Sequence, residues 1–297
     1  MITPLSKGGR RLMLAQSNGI PVPTGSDRFA PLRDSSELTG DPVALRERFL
    51  RDGYVYLRGV LDRGEVLGLR AAYFSMFGPG YLEPGTSAED GVWSGEQPPG
   101  LPPHGAIGHP AHKMVRSKLF ARFAANPTLE RLARFLLDEP EVMRLPRQIV
   151  RHYHKGPLSS RAHTDFDYLD RGSDHLVTMW IPVGDCPVPT GGLVYLENSH
   201  TAGTDRLRAL KTLRTDRPGD PRPISHDLGW TQERLGGRWL YADYTAGDVT
   251  IHSPHIVHAS LDTTTDQMRM SADIRFAPIT VEPDPRWLKP WSGDDGN

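Results

Sequence analysis

Arg269-Met270-Ser271-Ala272-Asp273-Ile274-Arg275-Phe276 alternates polar and apolar residues without a break. In an extended chain successive side chains point to opposite faces. Arg269, Ser271, Asp273 and Arg275 therefore share one face, and Met270, Ala272, Ile274 and Phe276 share the other. The apolar face is expected to pack in a core and the polar face to line a wet cavity. Working back from this strand, short strands are expected at 149–154, 176–182, 192–196, 239–241 and 248–252, with 268–276 as the last. The first half reads differently. Asp41-Pro42 has the form of an N-cap followed by proline, and Gly53 stops that helix, whose apolar residues are Val43, Leu45, Phe49 and Leu50. Asp62-x-x-Glu65 opens a second helix and Asn126-Pro127 a third, with Tyr54–Leu57 as a short strand between the first two.

Helices first and strands later imply a mainly β fold with flanking α-helices, its core a double-sheet jelly roll of the cupin-like kind whose mouth is a natural ligand site. The expected organisation is a loose lead-in over 1–40 and a single domain over 41–280. Within that domain, helices occupy 41–140 and the jelly-roll core about 142–278. A tail over 281–297 completes the chain. The 30 glycines and 27 prolines make up about one residue in five, above a usual share of roughly 12%. They concentrate in 78–104 and 200–237, long segments that read as lids over a site.

With 35 Lys and Arg against 36 Asp and Glu, net charge −1, the composition argues against a nucleic-acid or anionic-membrane partner. The single Cys186 excludes an internal disulfide framework and a cysteine-based zinc cluster. No apolar run approaches the roughly 18–20 residues of a membrane span. The short Leu12–Ala15 run is too brief for a signal-peptide core. A cytoplasmic protein acting on a small molecule is the expectation.

The chemistry is carried by His163-Thr164-Asp165 and by a histidine-rich segment, Gly247 to His258. On a strand, His163 and Asp165 at i and i+2 face one ion, and a distant histidine completes two imidazoles and one carboxylate. That set leaves coordination positions open, as in non-haem Fe(II) oxygenases. Asp167 competes as the carboxylate, but i+2 reaches the shared ion better than i+4. His252, His255 and His258 compete as the distal ligand; His252 and His258 share strand parity, with Pro254 breaking the ladder between them. Arg269, eleven residues past His258, offers a fixed guanidinium for a dicarboxylate. Ser271 adds a hydroxyl to the same carboxylate, and Arg275 suits an acidic group on the substrate. His255 and Trp93 are further candidate substrate contacts.

The chain resembles the phytanoyl-CoA dioxygenase-like family of Fe(II)/2-oxoglutarate oxygenases. The matching residues are Phe49-x-x-x-Gly53-Tyr54-Val55-x-Leu57-x-Gly59-Val60-Leu61, His163-Thr164-Asp165, Trp180-Ile181-Pro182, Gly191-Gly192-Leu193, Asn198-Ser199-His200, Gly247-Asp248, His258-Ala259-Ser260 and Arg269. The resemblance runs from about residue 40 to 278. It implies a double-stranded β-helix with Fe(II) held by His163, Asp165 and His258, 2-oxoglutarate as co-substrate and O2 as oxidant. It also implies that Arg269 takes the far carboxylate, that Trp180 lines the 2-oxoglutarate pocket and that Lys155 is the basic residue often found before the triplet. Halogenating relatives carry a small residue at the carboxylate position, so Asp165 points instead to hydroxylation or a related oxidation. The Pro-rich 78–104 segment and the following His104, His109 and His112 have no counterpart in the family. Two readings from other classes remain: a cupin-type Zn or Ni hydrolase or isomerase, and a non-catalytic jelly-roll binding protein.

Overall fold

The computed structural model describes residues 15–214, 216 and 220–293. In chain order its elements are β1 (Gln16–Ser17), β2 (Ile20–Pro21), β3 (Phe29–Pro31), α1 (Pro42–Asp52), β4 (Tyr54–Leu57), α2 (Arg63–Phe74), α3 (Pro110–Val115), α4 (Lys118–Ala124), α5 (Pro127–Leu137), β5 (Val142–Arg144) and β6 (Ile149–Tyr153). There follow β7 (Val177–Pro182), β8 (Leu193–Leu196), α6 (Thr204–Thr212), α7 (Leu228–Leu235), β9 (Trp239–Tyr241), β10 (Val249–His252), β11 (His258–Ser260) and β12 (Arg269–Pro278).

The expected helix signals act as read. The Asp41 carboxylate accepts from Ala44 N, that of Asp62 from Glu65 N, and the Asn126 side chain from Thr128 N. Gly53 ends α1 at φ 75°, a left-handed conformation that costs glycine nothing. A Cβ there would also stand 2.6 Å from the His200 ring. On α1 only Leu45 and Phe49 are buried, whereas Val43 and Leu50, counted in the stripe from sequence, are exposed. The i, i+4 pair alone faces the core.

Two sheets carry the rest. The larger runs β4-β10-β7-β12-β5, with β6 pairing the other end of β12, and the smaller runs β11-β8-β9-β3. Strand parity sorts the side chains into layers. Val177, Met179, Ile181, Val249, Ile251, Met270, Ala272, Ile274 and Phe276 face outward into one cluster with Leu45, Leu69, Phe74, Leu129 and Leu136 of the helices. Val194, Leu196, Trp239 and Ala259 face outward from the smaller sheet into a second cluster with Leu207, Leu210 and Leu228. Between the sheets lie Tyr54, Tyr56, Trp180, Leu193, Tyr195, Leu240 and Tyr244. This is a jelly roll with helices on its outside, as the order of elements implied, and the two faces of β12 divide as the alternation required.

Four expectations change. From Ala15 on, the lead-in is not loose, and residues 1–14 lie outside the described residues. Ser17 is fully buried with its hydroxyl on Ser260 O, Asp262 accepts from Asn18 N and Gly19 N, and β3 joins the smaller sheet parallel to β9. The C-terminal tail also packs. Trp287, Trp291 and Asp284 are buried, and a Cβ at Gly172 would stand 2.2 Å from Asp284 N. The 200–237 segment supplies α6 and α7, which cover the smaller sheet. Finally, 78–104 is tethered rather than open. The buried Arg70 guanidinium donates to Glu89 O, Asp90 O, Val183 O and Met268 O, Trp93 N donates to Asp266 O, and Tyr81 is buried. Its acidic residues sit at the surface while its backbone is bonded into the domain, which is how a compact surface loop holds itself.

Asp248 shows what the family-like Gly247-Asp248 pair does structurally. Its fully buried carboxylate accepts from Tyr56 OH, Gly59 N and Thr245 N, tying β4 to β10 and the turn before it. Asp248→Ala is expected to leave those donors unpaired at about 1–3 kcal/mol each where burial is complete. A clearly lower urea midpoint checks it, and an unchanged midpoint would mean that water replaces the carboxylate.

Candidate metal centre and co-substrate pocket

His163 and His258 face each other across an isolated antiparallel bridge, exchanging His163 N–His258 O at 3.0 Å and His258 N–His163 O at 2.9 Å. Their rings lie 4.2 Å apart between centroids. The chain is not a strand through the triplet, contrary to the sequence reading. Thr164 is extended and Asp165 opens a short 3-10 turn, Asp165–Tyr168. The turn brings the carboxylate round, and one donor atom from each of His163, Asp165 and His258 falls within 4.8 Å of the others.

The protonation state suits a cation. His163 Nδ1–H donates to Arg161 O at 2.6 Å and His258 Nδ1–H to Ile256 O at 3.0 Å, which leaves both Nε2 lone pairs free to coordinate. Burial lowers both imidazoles from their ordinary value, His258 well below it. Burial also pushes Asp165 upward, but the Arg275 guanidinium, His252 and His258 together outweigh it and hold the carboxyl well below the usual range. Two neutral imidazoles and an ionised carboxylate thus meet without a proton to displace. Asp165 Oδ2 accepts from Thr178 Oγ1 at 2.6 Å and Arg275 Nη2 at 2.8 Å, while Oδ1 faces His258 Nε2 at 3.7 Å.

The competing candidates separate. His255 turns away, packing on Phe166 and bonding Asp174 at 2.8 Å. Asp167 accepts from Thr164 Oγ1 and pairs with Lys211, outside the donor set. His252 lines the same cavity but stands outside the donor set, its Nδ1 on Tyr195 OH at 2.8 Å and its Nε2 3.5 Å from Asp165 Oδ2.

A narrow cavity of about 60 Å3 opens beside the three donors, lined also by Thr178, Trp180, Arg269 and Ser271. Arg269 is buried and lies over the Tyr153 ring at 4.1 Å, and its Nε and Nη1 have no hydrogen-bond partner. Such a guanidinium, desolvated and unmatched, has the chemistry to take a carboxylate. Arg275 does not reach outward for an acidic substrate group; it lies over Trp287 at 4.1 Å and bonds Asp165. Lys155 is not in the pocket either, since it pairs with Asp266 at 3.1 Å with both side chains more than half exposed. Trp93 stacks on His154 at 4.1 Å and donates to Glu96 O, away from the donor set. Sequence reasoning missed Thr178, although parity with Trp180 on β7 would have given it. It also missed Arg151 and Tyr153, which share the inward parity of β6.

Residues 49–271 match the family described as Phytanoyl-CoA dioxygenase (PhyH). Two proteins named 1-deoxypentalenic acid 11-beta-hydroxylase, from Streptomyces arenae and Streptomyces exfoliatus, are 26% and 25% identical over 90% of this chain and 92% of their own. The epimerase SnoN, solved in complex with Fe3+, alpha ketoglutarate and nogalamycin RO, is 23% identical with a TM-score of 0.56, over 82% of this chain and 88% of that one. At that identity the likeness is one of fold.

Proposed function

The chain belongs to the phytanoyl-CoA dioxygenase family of Fe(II)- and 2-oxoglutarate-dependent oxygenases, and on that premise we propose that it hydroxylates a C–H bond of a small molecule at the centre formed by His163, Asp165 and His258. The observation that carries this is Arg269. A buried guanidinium with two unpartnered nitrogens borders the same cavity as the three donors. Zinc or nickel hydrolysis does not itself require such a group, whereas a dicarboxylate co-substrate does.

His163 Nε2, Asp165 Oδ1 and His258 Nε2 would hold the iron. Iron, 2-oxoglutarate and O2, when bound, would supply the oxidising power: O2 is the oxidant, one of its atoms going to succinate as the co-substrate loses carbon dioxide and the other to the substrate. The chain's own residues set the geometry. Thr178 and Arg275 occupy one oxygen of Asp165 and leave the other for the metal. Arg269 and Ser271 would bind the far carboxylate of the co-substrate, with Trp180 as a wall, and burial strengthens that pairing by excluding water. The carboxylate of Asp165 excludes a halide from its position. Hydroxylation also matches the activity that the two Streptomyces relatives are named for.

The packing of β3, Trp287 and Trp291 into the same layers supports one oxygenase domain over the described residues. No helix among them is long and apolar enough to cross a membrane. Anaerobic addition of Fe(II) and 2-oxoglutarate is expected to give a weak visible metal-to-ligand charge-transfer band. Its absence at saturating 2-oxoglutarate would sink the oxygenase reading in favour of a site for zinc or nickel.

A further inference from the structure

A second cavity, of about 580 Å3, lies against β6, which pairs with β12 alone among the described strands. Arg151 and Tyr153 from the inner face of β6 line it, and so do His152 and His154 from the outer face, so it wraps over the strand's free edge. It shares walls with a recess at the metal centre. Arg151 and Tyr153 also line that recess, of about 120 Å3, whose other walls include His163, Asp165 and Arg275. The volume lies within the range of small-molecule sites, about 300–1,000 Å3.

The walls combine aromatic and apolar residues such as Tyr81, Leu101, Leu158 and Trp291 with Gln97, Arg151 and four histidines, and no described lining residue is acidic. The two central imidazoles have different duties. His152 is spent, with Tyr73 OH on Nδ1 and Tyr81 OH on Nε2, both at 2.6 Å. His109 is not. Its Nδ1 accepts from Ala111 N at 3.0 Å, capping α3, and burial lowers its pKa to about 4. The ring is therefore neutral, with its proton on Nε2, and that donor has no acceptor among the described residues although the side chain is almost wholly buried. His109 lines the cavity, so an occupant can accept from that N–H.

We infer that this cavity seats the body of the substrate, an apolar, non-cationic molecule whose carbonyl or carboxylate oxygen accepts from His109 Nε2–H. The assignment rests on the oxygenase reading, since it sends the oxidised carbon through the Arg151–Tyr153 recess to the metal. A cationic substrate finds no carboxylate among the described lining residues, and the one guanidinium there, Arg151, is already paired with Asp273.

The test uses protein loaded anaerobically with Fe(II) and 2-oxoglutarate, the visible band reporting loading. Calorimetric titration then compares 2-acetylnaphthalene, 2-naphthoate and 2-naphthylmethylammonium. The ketone, the carboxylate or both are expected to bind at least about 10-fold tighter than the ammonium, and the stronger of the two identifies the acceptor. His109→Asn keeps an oxygen to cap α3 but withdraws the Nε2 donor, and should weaken the better probe by about 10-fold, the worth of one net hydrogen bond. Leu101→Trp, which fills the cavity, should remove binding. Equal affinity for the ammonium, undiminished binding in His109→Asn, or no probe binding at all in protein that shows the band overturns the assignment and leaves the oxygenase reading standing. Absence of the band overturns both.

Discussion

His258→Ala is expected to abolish iron-dependent, substrate-coupled turnover and to weaken Fe(II) binding by well over 10²-fold. Partners that only orient a metal-bound histidine are typically worth 10–100-fold in affinity or activity, and His258 offers a donor atom itself. The loss has a second source. His258 and His163 hold one another through paired backbone bonds, so the imidazole is delivered by a rigid bridge, and a shortened side chain has no means of reaching back. His255→Ala is the contrast. That ring bonds Asp174 and packs on Phe166 away from the donors, so coupled turnover should persist at a substantial fraction of the parent's. Iron titration followed by succinate assay reads both variants. An inactive His255→Ala beside an active His258→Ala would overturn the ligand assignment.

Arg269→Ala is expected to raise the 2-oxoglutarate requirement by about 10²–10³-fold while leaving Fe(II) binding largely intact. Removing one partner of a buried ion pair costs roughly 3–5 kcal/mol, because the remaining charge is left desolvated. The guanidinium is buried, flat against Tyr153 and unpartnered at Nε and Nη1, so the co-substrate is the partner it would lose. The metal donors do not depend on it, since Asp165 is held by Arg275 and Thr178. Titration of the visible band with 2-oxoglutarate measures the effect. An unchanged midpoint would remove the main argument for a dicarboxylate at this site.

The two arginines on the polar face of β12 show how one strand serves two ends of a reaction. Arg269 and Arg275 share parity, and sequence gives both an inward direction without distinguishing their partners. Six residues apart, they reach different groups: Arg275 lies over Trp287 and steadies the carboxylate of Asp165, whereas Arg269 waits over Tyr153. Trp287 comes from a segment that looks like a tail, so no local pattern could have paired it with β12.

The sequence by itself determined whatever depends on near neighbours. The caps at Asp41, Asp62 and Asn126 and the two-faced alternation of β12 follow from side-chain types at fixed short spacing, and the jelly-roll class from the order of helices and strands. The residues His163, Asp165, His258 and Arg269 were legible in the same way, through the family they resemble. Tertiary structure alone decided the remainder. Parity leaves His252 and His258 equivalent, and it is the bridge to His163 that puts one in the donor set while the other bonds Tyr195. The short polar helices α6 and α7, the 15–38 segment with its few scattered buried residues, and the packed Trp287 and Trp291 carry too few apolar residues to announce themselves. Their order comes from surfaces far away in the chain, and burial against a distant partner leaves no periodic mark in the residues that are buried.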